Sequence, residues 1–235
     1  MKQKQLCALC GINTATTREH VPPKSIFLQP RPNNLITIPC CKACNNGSSK
    51  SDEKFKVYLG LHAAMYSPNG EKLFQEALKT LNRSPKLKSQ VLEGLIDIDA
   101  KTPAGLTLLG YKGIKWDNKT YVSTLTKISK GLFFHHFGCV VPDDIIVKDY
   151  FFNSMPITKL SILNEGAVNE DSFRYYFGYA EGTSIWIYKF YNALYGAIIL
   201  VDKQHKDRFE ESTPTIEDIF QKKSVQYPTI INPYK

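Results

Sequence analysis

Four cysteines in two Cys-x2-Cys pairs, Cys7/Cys10 and Cys41/Cys44, impose the strongest constraint on how this chain can fold. Each pair sets two thiolates on a tight turn, and two pairs complete a tetrahedron around one zinc ion at about 2.3 Å per sulfur. The thirty residues between the pairs must then leave and return to the same point. Gly11 follows the first pair and suits the turn that ligation requires. A segment this short has little apolar core, so the metal would supply much of its folding free energy. Cys40 leaves a second register open, Cys40-x3-Cys44. The two-residue spacing favours Cys41, with Cys40 as a small buried apolar residue and Cys139 as a core thiol.

Paired cysteines in a reducing compartment bind metal more often than they bridge. The first residues lack the apolar stretch of a secretory signal, and no apolar run is long enough to span a bilayer. The expectation is a cytoplasmic protein with no membrane partner.

Charge is concentrated at the same end. Residues 1–56 carry nine Lys and Arg against three acids, whereas the remaining 179 residues carry 21 against 19. A basic segment attracts phosphates by counterion release, and it equally keeps a small domain soluble.

The chain divides at about residue 56. Residues 1–50 are rich in Cys, Pro, Asn and Ser, the composition of short strands and loops. From Ser51, available as an N-cap, Phe55, Tyr58, Leu59, His62 and Tyr66 fall at helical spacing until Pro68. Further helices are expected over Gly70–Leu81, Leu87–Leu95 and Lys119–His136, with a β-rich hairpin over 97–117. Ile145–Phe152, Phe173–Ala180, Ser184–Tyr191 and Tyr195–Val201 read as strands, with tight turns at Glu181-Gly182 and Asn192-Ala193. The tail after Thr213, with three prolines, reads as irregular. Helices to about residue 137 followed by strands imply an α+β fold with an antiparallel sheet. The aromatics Tyr175, Tyr176, Phe177, Tyr179, Trp186, Tyr188, Phe190 and Tyr191 sit in those strands, where alternation favours a core over a base-stacking face. His135-His136 reads as a helix end packed on the sheet.

Between the cysteine pairs lie Glu19-His20, then Asn33-Asn34-Leu35, and Asn45 follows the last cysteine. Cys-x2-Cys, acid-His, Asn-Leu and Cys-x2-Cys-Asn together resemble the HNH (ββα-metal) endonucleases. The strings TTREHVPPKSIF, RPNNLITIPCCKACNN and KGLFFHHFG are similar to a group of bacterial HNH-containing proteins. The resemblance implies a small zinc-bound ββα-metal module over residues 1–56, ahead of an α+β domain over 57–235. It implies a metal-dependent nuclease acting on nucleic acid, DNA ahead of RNA. His20 would be the general base, and Glu19 and Asn45 the ligands of a catalytic Mg²⁺ or Mn²⁺. Asn34 (or Asn33) would orient the histidine. The chain departs from the family in having Glu where Asp is commoner, a longer interval from Asn34 to Cys41, and Asn rather than His at the last position. Lys24, Arg31, Lys42 and Lys50 are the candidates for gripping the backbone. A non-catalytic zinc module, or an adaptor recognising its partner through residues 57–235, are the competing readings. Those later residues could set substrate choice, mediate dimerisation or receive a partner.

Overall fold

A computed structural model describes residues 5–64, 66–101, 107–152, 160, 162–207 and 229–231. It is mixed α and β with five α-helices among the described residues, and its strand pairings are antiparallel.

The N-terminal segment is a two-stranded hairpin, β1 (Thr17–Val21) and β2 (Ile36–Cys40), leading into a six-residue helix α1 (Lys42–Gly47). The register sets Glu19 against Ile38 and His20 against Thr37. Alternation along β1 buries Glu19 and Val21, and turns Arg18 and His20 to the other face.

Three helices follow: α2 (Ser49–Ala63), α3 (Pro68–Arg83) and α4 (Pro85–Glu93). Pro68 does not end the first of them. That helix stops at Ala63, and Pro68 opens the next, with the Ser67 side chain capping Gly70 N–H at 2.9 Å. Proline suits a first helical turn because the N–H it lacks would have no partner there. Pro85 opens α4 in the same way.

The expected hairpin is β3 (Leu95–Lys101) and β4 (Thr107–Ile114). A third strand, β10 (Thr229–Ile231), pairs with β4, so this part of the tail expected to be irregular is extended and hydrogen-bonded. Helix α5 (Asn118–Phe137) starts on an Asp117 cap and ends at Gly138, whose φ of 70° is the left-handed stop that glycine accepts.

The largest sheet has five strands in the order β5 (Ile145–Phe152), β9 (Leu194–Asp202), β8 (Thr183–Phe190), β7 (Phe173–Ala180), β6 (Asn164–Val168). Glu181 and Gly182 both take positive φ, as do Tyr191 and Asn192, so both hairpins turn as primed two-residue turns do. The second turn lies one residue earlier than Asn192-Ala193.

One face of this sheet is aromatic. The register stacks Phe173 on Phe190, Tyr175 on Tyr188 and Phe177 on Trp186, and all six are buried. Leu125, Ile128 and Leu132 of α5 belong to the same buried cluster, and Ser129 Oγ meets Tyr188 Oη at 2.5 Å. Tyr179 alone among the eight expected aromatics is exposed. His136 stacks on Phe177 at 4.1 Å and bonds Tyr175 Oη at 2.9 Å, so the helix end packs on the sheet. The Cys139 side chain is exposed and is not a core thiol, because it lies just past the left-handed stop at Gly138 where α5 ends.

A single cluster of buried side chains runs from Cys7 through Val21 and Ile38 to Ile198 and Leu200. The division at residue 56 falls inside α2, and the hairpin rests directly on α5. At Gly131 an added Cβ would lie 2.6 Å from Val21 and 3.2 Å from Ile38. Only glycine permits that approach.

Candidate functional site

The four sulfurs of Cys7, Cys10, Cys41 and Cys44 lie within 4.8 Å of one another. Sulfurs around a tetrahedral zinc at about 2.3 Å sit roughly 3.8 Å apart, so a small contraction would close the cluster on an ion. The cluster could hold zinc. Its donors are prepared for negative charge: Cys44 N–H donates to Cys41 Sγ at 3.4 Å, which pulls that thiol down to about 7. Asn13 Nδ2 lies 3.9 Å from both Cys10 and Cys41 sulfurs. Burial and the neighbouring sulfurs push Cys44 the other way, the crowding that a dication would relieve. Gly11 takes a φ of 65° beside the first pair. Cys40 stands outside the cluster, wholly buried with its sulfur 3.8 Å from Cys7, and burial pushes its thiol up to about 12.

Beside the hairpin is a cavity of about 540 Å³, lined by Glu19, His20 and Asn45 among others. β1 supplies the first two, and α1 supplies Asn45. Asn45 Nδ2 donates to Thr17 Oγ1 at 3.0 Å and to Arg18 O at 3.1 Å, which ties α1 to β1 and leaves Oδ1 as its remaining polar atom. His20 is half-buried. Burial first, then the charges of Lys24, Arg31 and Arg18, lower its pKa and keep the imidazole neutral near pH 7.

Glu19 is 5% exposed. Burial raises its pKa, and Lys127 works against that rise. Lys127, from α5, places its ammonium 3.1 Å from Glu19 Oε1, 2.7 Å from both Asp52 oxygens and 2.9 Å from Ser48 Oγ. Ser48 in turn bonds Asp52, so its hydroxyl is spent on this network and not on capping α2, which begins at Ser49 rather than Ser51. Two carboxylates from different elements thus share one ammonium beneath the cavity.

The other expected residues divide. Lys24 lines the cavity, and Arg31 Nε donates to the Lys24 carbonyl at 3.3 Å. Lys42 and Lys50 are exposed, on the first turns of α1 and α2, and do not line it. Asn33 and Asn34 form an exposed turn before β2, also outside the lining. Thr37 is the residue opposite His20, and its hydroxyl accepts from Arg18 at 2.8 Å.

Sequence reasoning missed Lys127, Asp52, Lys56 and Arg83. Lys127 lies 108 residues from Glu19, and no local pattern joins them. Asp52 and Lys56 had a signal: with Ser49 and Glu53 they occupy one face of α2 at helical spacing.

The chain matches no family model, no curated protein and no solved structure. No helix among the described residues is long and apolar enough to cross a membrane.

Proposed function

We propose that this protein is a metal-dependent endonuclease of the HNH type, hydrolysing phosphodiester bonds of nucleic acid, DNA ahead of RNA, over a structural zinc in the four-cysteine cluster. The observation that carries the reading is that a neutral histidine, a carboxylate and an amide oxygen border one cavity beside the hairpin and short helix. Arg18, Lys24, Lys56 and Arg83 border the same cavity, and a phosphate backbone needs such cations.

The donor set suits a hard divalent ion. Glu19 keeps one oxygen free of Lys127, and the amide nitrogen of Asn45 is spent on β1, which leaves its oxygen as the donor to an ion. A bound Mg²⁺ or Mn²⁺ would stabilise charge on the scissile phosphate and its leaving oxygen. His20 would take a proton from water as the water oxygen bonds to phosphorus and one P–O ester bond breaks. Lys127 would hold Glu19 in place through the charged bond that α5 provides.

Supercoiled plasmid tests this reading. The wild-type protein with Mg²⁺ or Mn²⁺ should nick or linearise it, and His20→Ala should lose about a hundredfold or more of that rate while keeping its zinc and its melting temperature. Full cleavage by His20→Ala would remove the assigned base.

A further inference from the structure

Four residues of α2 face the cavity, Ser49, Asp52, Glu53 and Lys56, and their polarity changes along the helix. Asp52 shares Lys127 with Glu19, so this end of the face adjoins the carboxylate just described. Lys56 lies one turn further on, about 6 Å along the axis. There the wall is completed by Thr80, Arg83 and Ser84 from the end of α3.

The two cations at this end are poorly neutralised. Arg83 donates to the Lys79 carbonyl at 3.2 Å and, among the described residues, pairs with no carboxylate. The Lys56 side chain is only 16% exposed, and its nearest acid, Glu76, stands 4.0 Å away. Glu76 is itself held at 2.8 Å by Lys79. Burial lowers the pKa of Lys56, Glu76 opposes that fall, and Arg83 then adds to it, so the two cations on this wall repel each other. Such a pair on the wall of a cavity is what an anion would neutralise.

We propose that Lys56 and Arg83 form a phosphate-binding subsite, gripping a backbone phosphate next to the one presented to His20. The cavity is then bipartite. Its acidic end takes a cation and the reacting phosphate, and its basic end fixes the register of the strand by a contact that carries no sequence information. The subsite rests on the nucleic-acid reading, although not on hydrolysis.

Binding of a labelled 20-base-pair DNA duplex tests it, using the zinc-loaded full chain in buffer without Mg²⁺ or Mn²⁺ and across a KCl series. Each lost phosphate contact lowers the slope of log K against log salt by about 0.9. The double variant Lys56→Gln/Arg83→Gln should therefore lose nearly two units of slope and bind about tenfold or more weakly at low salt. Lys148→Gln, an exposed lysine of β5 outside the cavity, removes one charge and should leave the slope unchanged. An unchanged slope in the double variant, an equal loss in Lys148→Gln, or no binding by the wild type would each overturn the subsite. Wild-type binding with the expected slopes but no cleavage in Mg²⁺ or Mn²⁺ would keep the subsite and remove the nuclease.

Discussion

The cysteine-bearing segment and the five-stranded sheet meet across α5, and they are held together by different physics. The segment's hairpin has strands of five residues, and Cys7, Cys40 and Cys41 are buried there beside Val21, Ile26 and Ile38. The sheet buries Trp186, Tyr188, Phe173 and Phe190 completely, and its strands reach nine residues. Apolar burial of aromatic side chains stabilises the sheet without any ligand, at about 25 cal/mol per Å² removed from water. The hairpin buries smaller side chains, and a metal in the cysteine cluster would add to what holds it. Yet the residues proposed to carry the chemistry lie on the smaller part. β1 carries Glu19 and His20 into the cavity, with the cysteine cluster at one end of the hairpin and α5 beneath it. A pliant element would become a precise one if a metal in the cysteine cluster and the helix α5 fixed it from two sides.

The largest expected effect comes from breaking the cysteine half of that arrangement. Cys41→Ser removes one sulfur of the cluster and should release zinc, unfolding the segment up to α1 at a cost on the order of 10 kcal/mol of metal-linked folding energy. The aromatic sheet should survive, so the near-ultraviolet circular dichroism of its buried tryptophan and tyrosines should largely persist while zinc per chain falls to zero. Cys40→Ser should keep its zinc and cost about 1 kcal/mol, because its sulfur packs in the core outside the cluster. Metal analysis of the two variants decides the register. Equal zinc loss would make Cys40 a ligand, a real alternative given its 3.8 Å approach to Cys7.

The same contrast explains what could be read from the sequence. The cysteine pairs, the helical spacings and the strand-favouring composition carry local signals, and Ile145–Phe152 and Phe173–Ala180 are strands over the residues that their Ile, Val, Tyr and Phe content picked out. β6 (Asn-Glu-Gly-Ala-Val) has too little alternation to be seen without its partner β7, and the three residues of β10 become a strand only through β4. Pro68 misled because proline both stops and starts helices, and only the Ser67 cap shows which. Glu19, His20 and Asn45, picked out because they cluster around the cysteine pairs, do line one cavity. Lys127 and Arg83 could not be picked out, since each reaches the site through helix packing whose sequence separation leaves no pattern. Asn34 had a motif to recommend it, but an exposed turn holds it outside the cavity lining.

The docking of hairpin on helix can be broken separately. Gly131→Ala would set a methyl 2.6 Å from Val21 Cγ2 and 3.1 Å from Val21 Cγ1, on a helix that otherwise gains from alanine. Overpacking should win and cost about 1–3 kcal/mol. Because Val21 directly follows His20 on β1, the shift should also lower the proposed cleavage rate while leaving the metal content of the cysteine cluster unchanged. A stabilised Gly131→Ala protein, read by chemical denaturation, would show that the hairpin does not rest on α5 as described.

The smallest effect sharpens the comparison from the sheet side. His62 of α2 packs among Tyr66, Trp116 and Phe151, and its Nε2 meets the Ala193 carbonyl at 3.2 Å. Burial lowers its pKa from 6.5 to about 4, with the bond to Ala193 opposing. Between those two values the unfolded chain binds a proton that the folded chain refuses, so stability is full above pH 6.5 and falls as the pH drops toward 4. The loss should approach 1 kcal/mol per pH unit near pH 5. Acid would also protonate the cysteines and free a zinc held there, so the two regions must be told apart. His62→Gln can keep a donor to Ala193 and has no proton to gain. Its stability between pH 6.5 and 5 should fall less steeply than the wild type's, whereas the pH at which zinc leaves should be the same in both. Parallel stability curves for the two proteins would mean that His62 contributes nothing to the acid loss, leaving it to other groups such as His136, whose pKa burial also lowers to about 4.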